Sequence, residues 1–363
     1  EKRVLSALRH RPSRLSLSAV PTFTDTLIAW QKRAGRHDLP WQKTRDPYWI
    51  WLSEIMLQQT QVTTVIPYYQ RFLARFPTLE TLAAAPQEAV IAHWAGLGYY
   101  ARARNLHRCA QQIVAVHGGK WPKSVDRLAE LPGIGRSTAA AIAAFAFGER
   151  AAILDGNVKR VLCRFFAIEG FPGQAGVERA LWVQAEALLP DADIEAYTQG
   201  LMDLGATLCV RRKPRRDECP LRADCKARLG GLVDTLPTAK PRPALPERHA
   251  HYVFVSDGAA VLLERRPAHG IWGSLLAPLE GETDAVLARL GIGSCVTRPL
   301  GTLRHTFTHF RLTLDATLCR VEASLDFADA SLCWIPLDAA AHAGVPTPIR
   351  KLLERVSQHL SPR

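Results

Sequence analysis

Apolar side chains recur every three to four positions through residues 25–34, 49–74, 87–117, 124–130, 137–147, 157–166, 176–189 and 194–209, with proline and glycine between the runs. That spacing lines one face of a helix, and no long apolar–polar alternation interrupts it. Residues 22–235 therefore read as a mainly helical unit. From 236 to 248 the texture changes, because prolines at 237, 241, 243 and 246 stiffen and extend the backbone as a linker does. Beyond it, HYVFVSDGAAVLLERRP holds two β-rich runs split by Asp257-Gly258, which predicts a hairpin. RHTFTHFRLTLDATLCRVEA is rich in β-branched and aromatic residues, whereas LARLGIG and PIRKLLERVSQHL have helical spacing. Residues 249–363 thus form an α+β unit, and a chain of 363 residues is long enough for two domains of about 150. No apolar run reaches the roughly 18 residues of a membrane span.

Charge separates the two units. Residues 1–235 hold 32 basic and 22 acidic side chains, while 249–363 hold 11 of each, within a net charge of +12. A basic first domain suits a polyanion, although a solubility charge explains the surplus equally well. Lys2, Arg3, Arg9, Arg11 and Arg14 make residues 1–21 a basic arm with no apolar core, unlike a secretory signal. Eight cysteines in a long chain without a signal peptide fit a reducing interior better than a disulfide framework. The expected setting is therefore intracellular, cytoplasmic or nucleoid-associated.

Residues 131–141, LPGIGRSTAAA, lie between two short helical stretches, giving a helix-hairpin-helix over 125–148. Gly133 and Gly135 leave the backbone bare, Arg136 adds a cation, and the amides of Ser137 and Thr138 open the second helix. Such an N-terminus binds a phosphate without reading a base, although a plain helical hairpin with a glycine turn has the same residues. Two carboxylates draw the eye next. Glu54 is the lone charge between Asp46 and Arg71, set among Trp49, Ile50, Trp51, Leu52, Ile55, Met56 and Leu57. Burial there would raise its pKa and keep a proton for general-acid work; otherwise it marks the exposed stripe of a buried helix. Asp155 precedes Gly156 in ILDGNVKRVL, where it reads as a helix N-cap or as the second carboxylate of a glycosidic cleavage. Glycosylases apply that chemistry to a base flipped out of the duplex.

In order along the chain, WLSEIMLQQTQV, GLGYYARARNLH, LPGIGRSTA and ILDGNVKRVL resemble the adenine DNA glycosylase (MutY) family over roughly residues 22–363. The resemblance implies a mainly α helix-hairpin-helix glycosylase domain with an iron–sulfur loop, followed by an α+β Nudix-like domain. It implies that adenine opposite 8-oxoguanine or guanine in duplex DNA is the substrate, flipped out and hydrolysed. Glu54 would protonate the base, Asp155 would stabilise the cationic sugar, and Asn157 would orient water and substrate. Gln59 and Tyr99 fall where residues wedge into the base stack, with Gln58 beside them, and Trp41 borders the adenine pocket. A related branch, endonuclease III, carries a lysine nucleophile where Ser137 stands, so strand cleavage is expected to be weak or absent, with Lys159 a minor source of trapping.

One motif departs from the family. In CVRRKPRRDECPLRADC, Cys209, Cys219 and Cys225 match three ligands of the C-x6-C-x2-C-x5-C iron–sulfur signature, and Arg216 occupies the second. The resemblance implies a 4Fe–4S cluster; this chain leaves open a fourth ligand such as Asp217 or Glu218, a three-iron form, or loss of the cluster. The basic residues of the same loop, Arg211, Arg212 and Lys213 foremost, suit phosphate. In the C-terminal unit GIWGSLLAPLE falls where a Nudix catalytic box begins, but ETDAVLARLGIG replaces its acidic metal-binding run, so no magnesium is expected. By resemblance RHTFTHF is the 8-oxoguanine-reading loop, with Phe307, Thr308 and His309 at its tip; without the family, Phe307 and Phe310 read as a strand's buried face. Competing readings are an endonuclease III-like glycosylase/lyase, a non-catalytic mispair binder, and a Nudix hydrolase. Ser137, the paired carboxylates and the missing acidic run speak against them in turn. A monomer on DNA would suffice.

Overall fold

The computed structural model describes residues 22–240, 244–267, 270–293, 295–307, 309–322, 327–340 and 343–360. The basic arm 1–21, residues 241–243 of the proline-rich segment and Thr308 lie outside the described residues. The first unit is built from α1 (Phe23–Ala34), α2 (Pro47–Leu57), α3 (Val62–Arg75), α4 (Leu79–Ala84), α5 (Gln87–Trp94) and α6 (Ala101–His117). It continues through α7 (Val125–Ala129), α8 (Arg136–Phe147), α9 (Gly156–Phe166), α10 (Ala175–Ala187), α11 (Ile194–Asp203) and α12 (Lys226–Leu229). Local chemistry sets the ends. Thr22 and Asp25 form a reciprocal capping box at α1, and α6 stops at Gly118, whose φ of 58° is the left-handed helix stop. Helix α8 buries five alanines between 139 and 144 together with Ile142, and the small alanines let it lie against α2, α7 and α11.

Two expected helices divide. The run 49–74 breaks at Gln58–Gln61 into α2 and α3, and the run 87–117 breaks between Trp94 and Ala101 into α5 and α6. Four polar residues, Gln58 to Gln61, interrupt the apolar run at the first break, and Gly96 and Gly98, both at positive φ, mark the second. The last expected helix, 194–209, keeps its α geometry only to Asp203 and then widens into a π turn over Leu204–Leu208.

The second unit is a mixed sheet of β1 (Glu247–Ser256), β2 (Ala260–Arg265), β3 (Leu276–Ala277), β4 (Leu279–Glu280), β5 (Val296–Thr306), β6 (Arg311–Arg320) and β7 (Leu332–Pro336). Its path is β3-β2-β1-β6-β5, with β4 on β1 and β7 on β2. Strands β1 and β6 run parallel, and β1 turns into β2 at Asp257-Gly258 with Val255 opposite Leu262. Helices α13 (Thr283–Arg289), α14 (Leu337–Ala340) and α15 (Thr347–Leu360) complete it. One apolar cluster runs through Trp51, Phe72 and Trp94 and continues into Tyr252, Trp272, Leu275 and Leu353 of the second unit. Arg104 Nη1 reinforces that junction by donating to Gly273 O at 3.0 Å. A separate cluster of Leu27, Val158, Leu162, Tyr197 and Leu201 packs α1, α9 and α11 together. Among the described residues no helix is long and apolar enough to cross a membrane.

Candidate active site and nucleic-acid interface

Helix α2 starts from an Asp46 cap, whose carboxylate accepts from Tyr48 N at 2.8 Å, with Pro47 at the first helical position. Tyr48, Ile50, Trp51, Leu52, Ser53, Ile55 and Met56 are buried, so almost the whole circumference is core. Glu54 sits on the remaining arc and opens on a cavity of about 880 Å³ shared with Trp41, Gln42, His37, Glu195 and Gln199. Trp41 is itself mostly core, packed edge-on against Tyr69 at 5.3 Å, and offers the cavity only part of its ring. Burial pushes the Glu54 carboxyl up to about 8, and the Asp155 carboxylate adds to the rise. That second cause means the fold brings the two carboxyls of the sequence into each other's field.

The N-cap reading of Asp155 is met. The residue is the N-cap of α9, with Oδ1 accepting from Val158 N at 2.8 Å, and it is a deeply enclosed carboxyl beside Glu54. Burial raises its pKa, opposed by the backbone amides of Val158 and Asn157 and by Arg160. Asn157 points its amide nitrogen toward Asp155 Oδ2 at 3.4 Å, while its Oδ1 accepts from Arg160 Nη2 at 2.8 Å. Arg160 also donates to Gly205 O at 2.6 Å and Cys209 O at 2.7 Å, tying α9 to the π turn. Gly205 is required there, because a Cβ would come within 2.6 Å of Asn157 Cβ. Arg36 and Gln199, which line the cavity, bond the fully buried Asp203, Arg36 Nε at 2.7 Å and Gln199 Nε2 at 2.8 Å. The sequence reading missed Arg36, Arg160 and Asp203, since neither a cationic side chain nor a lone acid predicts its partner by spacing.

The breaks in the helical runs carry the wedge candidates. Gln59 is exposed at φ 59° and Tyr99 is 48% exposed at φ 49°, two non-glycine residues in the left-handed region. Gln58 faces inward, its Nε2 at 3.4 Å from Thr138 Oγ1.

The hairpin follows α7, turns at Gly133 with φ 78°, and enters α8 from Gly135 with no side-chain cap. A Cβ at Gly133 would meet Asn105 Cβ at 2.8 Å, so the turn also presses on α6. Two side chains of this motif differ from expectation. Arg136 lies over the Trp182 ring at 3.9 Å and pairs with Glu186, so its charge is already matched by α10. Ser137 turns inward, its hydroxyl accepting from Leu154 N at 2.9 Å, one residue before Asp155. What remains for a phosphate is backbone N–H at the mouth of α8.

The cysteine loop gathers Cys209, Cys219 and Cys225 around a small cavity of about 40 Å³. Arg216, which also lines that cavity, pairs with Asp234 at 2.5 Å, and Glu218 is paired with Arg215 at 3.3 Å. Three thiols without a fourth donor do not fit a four-thiolate cubane, and no metal-holding group of His, Cys, Asp or Glu occurs among the described residues. Arg164 ties this loop to the rest of the unit. This buried guanidinium donates to Leu236 O and Val210 O, both at 2.8 Å, and reaches Cys209 O, Cys209 Sγ and Arg211 O at 3.3–3.4 Å. Arg211, Arg212 and Lys213 project from it exposed.

In the second unit the β5–β6 turn closes with Phe307 N donating to Phe310 O at 2.9 Å. Phe307 stacks on the buried Phe310 at 4.5 Å and packs against His305 and Trp272, so it is half engaged by the core. Exposed His309 lies edge-on to Phe310 at 4.7 Å. Thr308 lies outside the described residues. Glu280, at the position where a Nudix box would begin, takes Arg266 at 2.6 Å and Tyr252 OH at 3.2 Å.

Comparison with known proteins places the two units in families. Residues 52–187 match the HhH-GPD superfamily base excision DNA repair proteins, and residues 250–355 match the NUDIX domain. An adenine DNA glycosylase of Buchnera aphidicola (subsp. Acyrthosiphon pisum) is 32% identical over 346 residues, covering 93% of this chain and 98% of its own. The human adenine DNA glycosylase is 33% identical, covering 95% of this chain and 76% of its own. Among solved structures, a thermostable thymine-DNA glycosylase is 31% identical with a TM-score of 0.52, over 57% of this chain and 95% of that one. The chain therefore belongs to the adenine DNA glycosylase family of base excision repair enzymes, with a helix-hairpin-helix glycosylase unit followed by a Nudix-like one.

Proposed function

We propose that the protein hydrolyses the N-glycosidic bond of adenine opposite 8-oxoguanine or guanine in duplex DNA, with the adenine turned out toward Glu54. The observation that carries this reading is the Glu54 carboxyl, held near 8 on a cavity wall within the field of Asp155. A carboxyl of that pKa keeps its proton at neutral pH and donates it to a ring nitrogen of adenine. The C–N bonding electrons then leave with the base. The sugar becomes an oxocarbenium ion, which the Asp155 carboxylate stabilises from the start of α9. Asn157, fixed by Arg160, orients the water that adds to the sugar carbon, and ionised Glu54 accepts the water's proton.

Ser137 has no amine, so the base leaves and the strand stays intact. Lys159 is occupied by Glu178 at 2.6 Å. Gln59 and Tyr99 meet the base stack with the inward-facing Gln58 behind them, while the hairpin amides and Arg211, Arg212 and Lys213 hold phosphate. The half-buried ring of Phe307 and exposed His309 border the opposite base. The donor set of Cys209, Cys219 and Cys225 supports a loop without a 4Fe–4S cluster, and no step runs through one. A monomer inside the cell, on DNA, fulfils the reading. The test is single-turnover excision on a duplex with one adenine opposite 8-oxoguanine, worked up with and without hot alkali, beside Glu54→Gln. Alkali-labile breaks that vanish in Glu54→Gln are expected; tight binding with no excision by the unaltered enzyme refutes the reading.

A further inference from the structure

Arg102, in the first turn of α6, makes more polar contacts than its position at a helix start requires. Its Nη1 donates to three carbonyls at the end of α2 and just past it: Ile55 O at 2.8 Å, Met56 O at 2.9 Å and Gln58 O at 2.6 Å. Its Nη2 reaches Thr60 Oγ1 at 3.2 Å and crosses to the other break, to Leu97 O and Gly98 O at 3.3 Å. The same guanidinium lies 5.5 Å from the Tyr99 ring and 5.3 Å from that of Trp94. One half-buried side chain therefore anchors both segments that carry left-handed, non-glycine residues. Such residues cost about 1–2 kcal/mol each and persist only where their surroundings over-determine them. Here the strain displays an exposed amide, Gln59, and an exposed aromatic ring, Tyr99, on loops flanking the helix of the general acid. A flat ring and an amide held outward suit contact with stacked bases.

We propose that Arg102 is a positioning residue for base extrusion: it joins the Gln59 and Tyr99 loops into one rigid wedge without touching the base. The inference rests on the glycosylase reading above. Neither its spacing in the sequence nor its charge announces it, since all but one of its acceptors are backbone carbonyls. Arg102 acts through the wedge, so its loss affects substrates in proportion to the work of extrusion. A misplacement of about 1 Å lowers rates by about a hundredfold.

The test uses the full chain with Arg102→Met and Arg102→Lys, where a single ammonium cannot reach both loops. Excision is measured under single turnover on adenine paired opposite 8-oxoguanine and on adenine opposite an abasic site, which needs little unpairing. We expect about a hundredfold loss on the paired substrate and under threefold on the unpaired one, with 2-aminopurine fluorescence reporting slower flipping. Adding Tyr99→Ala to either variant then costs much less than Tyr99→Ala alone, because the wedge is already loose. Equal losses on both substrates, or additive effects with Tyr99→Ala, overturn the proposal. If Arg102→Met does not fold, Arg102→Lys decides on the same criteria. Failure of the unaltered enzyme to release adenine from either duplex would instead count against the glycosylase reading.

Discussion

Gly205 offers the sharpest test of how the end of α9 that carries the proposed catalytic residues is placed. Its φ is not left-handed, so Gly205→Ala adds one methyl group and no backbone strain. That methyl carbon would sit 2.6 Å from Asn157 Cβ, 3.1 Å from its Cα and 3.2 Å from its carbonyl carbon, where ordinary contact begins at 3.4 Å. Two of those neighbours are backbone, so no rotamer change relieves the clash. The start of α9 has to move by nearly an ångström, and it carries Asp155 as its cap and Asn157 in its first turn. Overpacking of this size costs about 1–3 kcal/mol of stability. A 1 Å displacement of a catalytic group costs about a hundredfold in rate. Expected, then, is a modestly lowered melting temperature, unchanged affinity for duplex DNA by fluorescence anisotropy, and single-turnover excision slowed by about two orders of magnitude. Wild-type excision in a folded Gly205→Ala enzyme would refute the claim that the π turn sets the position of Asn157.

Single-turnover excision should fall as pH rises through about 8, because Glu54 is competent only while protonated; a rate flat from pH 6 to 9.5 contradicts this. The same shift predicts that Glu54→Gln melts higher than wild type above the ordinary glutamate range, with the gap widening up to about pH 8, since unfolding releases an acid that burial keeps neutral. The cysteine loop should need no metal: prolonged chelation leaves melting and excision unchanged, whereas Arg164→Met strands five acceptors and costs roughly 2–3 kcal/mol in urea unfolding. Protein that purifies with stoichiometric iron and fails on chelation reverses that. Arg212→Ala or Lys213→Ala should each reduce the log–log salt slope of duplex binding by about one, and an unchanged slope removes that side chain from the phosphate interface.

The helical unit, the Asp257-Gly258 hairpin and the final helix were legible because each has a local signal: a 3.6 period, a turn dipeptide, an apolar stripe; the helix expected over LARLGIG instead runs Thr283–Arg289 and ends before the glycines of that segment. Glu54 was legible for a different reason, as a single charge in an apolar run. The breaks were partly signalled, by the polar run Gln58 to Gln61 and by Gly96 and Gly98, but the left-handed backbone of Gln59 and Tyr99 themselves was hidden, since neither is glycine. Arg102, Arg160 and Arg164 were invisible because most of their partners are carbonyl oxygens, which every residue has. The partners of Arg136 were not legible, because Trp182 and Glu186 are remote in sequence and meet it only in the folded chain.

The apolar cluster that passes from Trp94 into Trp272 and Leu275 has a mechanical consequence. The proline-rich segment is pinned at one end by Leu236, buried and bonded to Arg164, and at the other by Pro246, whose carbonyl accepts from Arg311 N. Covalent continuity between those anchors is therefore not what keeps the halves in register. A protease nick there would leave two fragments that co-migrate under native conditions and separate only in denaturant. Expressed without its partner, either half would present a freshly bared greasy face and tend to self-associate.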